Sequence, residues 1–122
     1  MKREILFKAK RKDNNQWAEG LLSYTVHREL IIVSFTDENQ PPRVFNINPE
    51  AICQFTGITD KNGAKIFEGD KFILRGCEVV VVYREKFCDY TFQTVEWKDR
   101  VLNLTKANIT KYNLEIIGNI HD

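Results

Sequence analysis

The chain has 122 residues, a mass of 14.3 kDa and a formal net charge of +1. That is the length of one domain, and 43% hydrophobic residues supply a core without disulfides or metal. Near-neutrality excludes a wholly basic nucleic-acid coat or an acidic tail, and no apolar run approaches the roughly 20 residues of a membrane helix.

Met1–Lys8 stops being apolar after three positions and does not fit a secretory leader, so a cytoplasmic protein is expected. Residues 3–11 then alternate with period two. Arg3, Ile5, Phe7, Ala9 and Arg11 fall on one side, and Lys2, Glu4, Leu6, Lys8, Lys10 and Lys12 on the other. Asp13-Asn14-Asn15 is a turn, Trp17–Val26 a strand broken by Gly20, and Glu29–Phe35 a β-branched strand. Thr36–Pro42 forms a loop, because two prolines cannot donate to a ladder. Arg43–Ile47 is again strand. Asn48-Pro49 fits the N-cap and first position of a single helical turn.

Asn62-Gly63 predicts a tight hairpin with positive φ angles. Glu68-Gly69-Asp70 and Arg75-Gly76 are further turns. The run from Cys77 to Tyr83 is apolar enough for burial on both faces, and Asp89–Trp97 and Val101–Leu104 are strands. Residues 105–113 admit a short helix capped by Thr105 or Asn103, or a strand through Ile109 and Thr110; the helix is preferred. Leu114–Ile120 closes as a strand. About ten short strands at this spacing predict a mainly β chain, barrel or sandwich, in one domain spanning residues 1–122.

Few side chains carry chemistry. Cys53, Cys77 and Cys88 are widely spaced, without a Cys-x-x-Cys, and each is expected to pack as a small hydrophobe. The first twelve residues hold six basic side chains and one acidic, a local +5 in a chain of +1. Lys8, Lys10, Arg11 and Lys12 therefore suit phosphate contact. The plainer explanation is a soluble edge strand, since lysines block edge-to-edge pairing. Asp60, Glu68 and Asp70 could converge for acid–base work, although turn chemistry accounts for each of them. Asp60-Lys61-Asn62-Gly63 opens like a calcium loop but lacks the later ligands.

Three blocks carry a family resemblance. The stretch Gln54-Phe55-Thr56-Gly57, Asp60-Lys61-Asn62-Gly63 and Ile66-Phe67-Glu68-Gly69-Asp70 resembles the signature of the YopX family of phage and prophage proteins. Arg3–Ala9 resembles that family's opening strand, and Glu115-Ile116-Ile117-Gly118-Asn119-Ile120-His121 its closing element. The resemblance implies a small β pseudo-barrel of antiparallel strands capped by one short helix. It carries over no catalytic residue, because the family has none assigned and no established activity.

The expectation is thus a non-enzymatic phage or prophage accessory protein of the bacterial host cytoplasm, without cofactor, metal or membrane. It is expected to act by self-association or by binding a protein partner. The alternative is a nucleic-acid-binding module using Lys8, Lys10, Arg11 and Lys12. A third reading places a small-ligand or hydrolytic pocket at Asp60, Glu68 and Asp70.

Overall fold

Among the described residues, the alternation of short apolar runs with turn residues gives ten strands, one α-helix and a short helical turn. The computed structural model describes residues 4–35, 39–97 and 99–122. The strand alternation at Lys2 and Arg3, the start of the 36–42 loop (residues 36–38) and the turn at Lys98 lie outside those residues. The strands form two antiparallel sheets, so the fold is mainly β as expected, and the chain falls into two compact units, residues 1–55 and 56–122.

The first unit holds β1 (Phe7–Arg11), β2 (Trp17–Tyr24), β3 (Leu30–Ser34) and most of β4 (Arg43–Thr59). β1 pairs with β2, β2 with β3, and β3 with residues 43–46 of β4. β1 also pairs with β4 from Gln54 back to Ile47, which closes the four strands into a ring. Two alanines and two isoleucines, Ala9, Ala18, Ile32 and Ile47, form its buried cluster. Gly20 is required by close approach, since a Cβ there would lie 2.2 Å from the Val33 carbonyl oxygen.

The helical turn expected at Asn48-Pro49 is absent. The register with β1 jumps from Ile52 to Ile47, so residues 48–51 bulge out of an extended strand. Asn48 Oδ1 accepts from the Glu50 amide at 3.0 Å. Proline has no N–H to give a ladder, and a bulge is where a strand tolerates it.

In the second unit the end of β4 neighbours β5 (Lys65–Phe67). A second sheet then runs in the order β10 (Gly118–Asn119), β6 (Asp70–Leu74), β7 (Cys77–Arg84), β8 (Asp89–Thr94), β9 (Arg100–Asn103). Its core is Ile66, Phe72, Leu74, Val79, Val81 and Phe92 together with Leu104, Ile109 and Leu114. Phe72 and Phe92 meet edge to face at 5.2 Å. Val79, Val80 and Val81 are all buried, so the middle of β7 is covered on both faces as expected.

The preferred helix is present as α1 (Lys106–Tyr112). Thr105 Oγ1 accepts from the Asn108 amide, and Asn113 in the left-handed region stops it. Ile109 anchors the helix in the core. Three expectations change. Arg75 and Gly76, with φ of 51° and 81°, make the two-residue turn with both φ positive, whereas at Asn62-Gly63 only Gly63 is positive. Only Gly118 and Asn119 of the closing segment are strand. Cysteine packing holds for Cys53 alone, since Cys77 and Cys88 sit in turn-flanking positions and are exposed.

Candidate functional site

β1 carries the basic residues, and its position changes their meaning. Both of its edges are paired, one to β2 and one to β4. It is an interior strand, so the need to blunt an open edge does not explain its lysines. On its outer face Lys10 stands directly across from Trp17, and Lys8 from Glu19. The Lys8 and Lys10 ammonium groups lie 4.4 Å and 4.6 Å from the centre of the Trp17 ring. Lys10 is only 9% exposed. Its charge is held over the Trp17 ring, an arrangement that stabilises the strand pair.

Arg11 and Lys12 belong to a different set. The Arg11 guanidinium grips Asp13 through both oxygens, at 3.0 Å and 2.6 Å, and lies 4.4 Å from the centre of the Phe45 ring. The same bond holds the Asp13 carboxyl below its ordinary value of 3.8. Arg43, on the same face of β4 as Phe45, places its guanidinium 5.2 Å from that ring. Arg11, Lys12, Arg43, Phe45 and Asn46 line an open depression of roughly 550 Å³, which Asp13 and Val44 also border. The four basic residues singled out in the sequence thus divide into two contact sets. Three partners were not anticipated: Trp17, Arg43 and Phe45. A cation and an aromatic two residues apart in Arg43-Val44-Phe45 is the local signal that points to them.

Asp60 and Asp70 of the signature are each tied into the backbone by hydrogen bonds. Asp60 is 3% exposed. Its Oδ1 accepts from the Asn62 and Ala64 amides, each at 2.9 Å, and its Oδ2 from the Ile116 amide at 3.1 Å. Asp70 is 1% exposed. It accepts from the Phe67 amide at 2.8 Å and from Asn119 Nδ2 at 2.9 Å. Asn119 Nδ2 also reaches the Glu68 carbonyl at 3.2 Å, and its Oδ1 accepts from the His121 amide. Gly69 fits beside this pair with φ of 84°, where an added Cβ would meet Ile120 at 3.0 Å and the Asn119 amide at 3.2 Å. Asp60 and Asp70 are therefore fasteners between residues 54–73 and the closing segment. Among the described residues, no three histidine, cysteine, aspartate or glutamate side chains gather where one ion could bind them.

This wiring joins two blocks that lie about 50 residues apart in the sequence, and the family comparison spans both. The sequence model of the YopX protein family matches residues 6–122. The chain belongs to the YopX family. No curated protein matches it. In this YopX chain the most recognisable motif is a structural joint rather than a set of reacting groups.

A second concavity lies at one end of the YopX second sheet. Gly76, Cys77, Glu78, Thr94, Val95, Glu96 and Trp97 line a groove of roughly 230 Å³. Trp97 is 76% exposed. Nothing in the sequence distinguished Trp97 from the end of a strand. The structure ends β8 at Thr94 and puts the indole in the following turn.

Proposed function

We propose that this YopX protein is a non-enzymatic phage or prophage accessory module that works by protein–protein contact, with a second copy as the first partner to test. The observation that carries the reading is Trp97. Its indole is left 76% in water beside an open groove, apolar area that a partner can bury, and tryptophan is enriched in the buried centres of protein interfaces. The groove has room for about one large side chain, and the indole beside it offers apolar area for that side chain to cover. The fixed roles of Asp60 and Asp70 support the non-enzymatic part, because their oxygens already accept from backbone and side-chain amides. The host cytoplasm follows from the phage and prophage setting implied by the resemblance. No helix among the described residues is long and apolar enough to cross a membrane.

Light scattering across a concentration series tests this. The expected result is a defined oligomer whose dissociation constant rises at least tenfold in Trp97→Ala, about the 1.4 kcal/mol threshold for an interface anchor. A wild-type chain that stays monomeric throughout, or an oligomer indifferent to Trp97, overturns it.

A further inference from the structure

We infer that the depression bounded by Arg11, Lys12, Arg43 and Phe45 is a binding site for single-stranded nucleic acid, distinct from the Trp97 groove. Three observations carry this. β1 is paired on both edges, so Arg11 at its end, the β1 residue of this site, is not explained by edge protection. Next, the two cations lining the depression besides Arg11 are exposed, and among the described residues neither Lys12 nor Arg43 has a carboxylate partner. They are the groups able to neutralise phosphate.

The third observation is planarity. Asp13 holds the Arg11 guanidinium through both oxygens, and the Phe45 ring lies against it at 4.4 Å. Its charge is balanced, so its contribution is a fixed flat surface at the depression. Bases stack on guanidinium planes as they do on aromatic rings. Two point charges beside a preformed stacking plane fit a strand whose bases are free to turn out. A duplex keeps its base faces covered, and a poly-glutamate chain has no aromatic ring for this surface to stack.

Lys8 and Lys10 are not assigned to the site. Their ammonium groups are engaged over Trp17, which narrows the four basic residues suggested by the sequence to Arg11 and Lys12 and adds Arg43 and Phe45.

Fluorescence anisotropy with labelled oligo(dT), oligo(rU), a mixed-sequence duplex and a poly-glutamate peptide tests the assignment. Both single strands are expected to bind. Two neutralised phosphates give a roughly sevenfold loss of affinity between 50 and 200 mM salt. The double variant Lys12→Glu/Arg43→Glu should bind at least tenfold more weakly, and Lys111→Glu on the helix within twofold of wild type. Phe45→Leu keeps an apolar side chain against the ring core and should weaken single-strand binding about fivefold while leaving the salt slope unchanged. A preference between DNA and RNA would identify the strand type without touching the site. Absence of binding at 50 mM salt, duplex or peptide binding as tight as the single strands, or indifference to the double variant overturns the proposal. Each of these outcomes is independent of the oligomer measured with Trp97→Ala.

Discussion

Asp70 shows what a single side chain does in this protein. One oxygen satisfies the Phe67 amide in the tight turn through Gly69, and the other holds Asn119 on the neighbouring strand. Asp70→Ala keeps the backbone course but takes the side-chain acceptor from the Phe67 amide and leaves Asn119 Nδ2 with the Glu68 carbonyl alone. Hydrogen bonds to a charged group contribute about 1.5–3 kcal/mol each, and unsatisfied buried donors add to the cost. A loss of about 3 kcal/mol of unfolding free energy is expected, read from the urea midpoint at unchanged slope. A shift below about 1 kcal/mol would show that Asn119 finds its partners elsewhere. The turn half of this arrangement was legible in Glu68-Gly69-Asp70, since a carboxylate bonding its own turn is local chemistry. The Asn119 half was not. A partner 49 residues away leaves no mark in the spacing of nearby residues. Lys10 teaches the same limit. Strand alternation placed it on a polar face, but only the register with β2 shows that this face is covered by Trp17.

At the scale of elements, the β7–β8 hairpin is closed by a pair of cross-strand contacts. Tyr83 and Tyr90 stand opposite each other, their rings 5.1 Å apart, and the next pair is Arg84 and Asp89. Arg84 grips both oxygens of Asp89, at 2.8 Å and 2.6 Å, around a short helical turn at Glu85–Phe87. Its hydrogen bonds hold the Asp89 carboxyl below the ordinary 3.8. A depressed carboxylate contributes fully above its unfolded value and loses that contribution as pH falls through its folded one. The hairpin end should therefore be insensitive to pH from neutral down to about 4 and loosen only below that. In a carboxyl NMR titration, Arg84→Gln should return Asp89 toward 3.8; an unchanged value would remove Arg84 as the cause. The exposure of the pair limits its effect on global stability. Element type was well marked by local residues, as Thr105 at the head of α1 and Arg75-Gly76 between β6 and β7 show. Asn48-Pro49 misled because the same pair that opens a helix also suits a bulge, and only pairing with β1 decides between them.

For the molecule as a whole, each compact unit carries one candidate surface, and the two differ in physics. The Trp97 groove relies on apolar burial, which salt leaves nearly untouched, whereas the depression at Arg43 relies on displaced counterions. Raising salt from 50 to 200 mM should move the assembly constant by less than about twofold while nucleic-acid affinity falls roughly sevenfold. Equal sensitivity of both would indicate one shared surface and refute the separation. Neither surface was fully written in the sequence. The basic residues of β1 were visible there, but their division between Trp17 and Phe45 depends on strands that close a ring through contacts distant along the chain.

The fasteners at Asp60 and Asp70 also set an order of events during synthesis. Every strand pair of the four-stranded ring lies within residues 7–54, so the first unit has all its pairing partners while translation of the second is still under way. The second unit cannot be finished early. Its two buried carboxylates must stay hydrated until Ile116 and Asn119 have left the ribosome, and a nascent chain released before then carries a completed ring joined to a sheet that cannot yet lock.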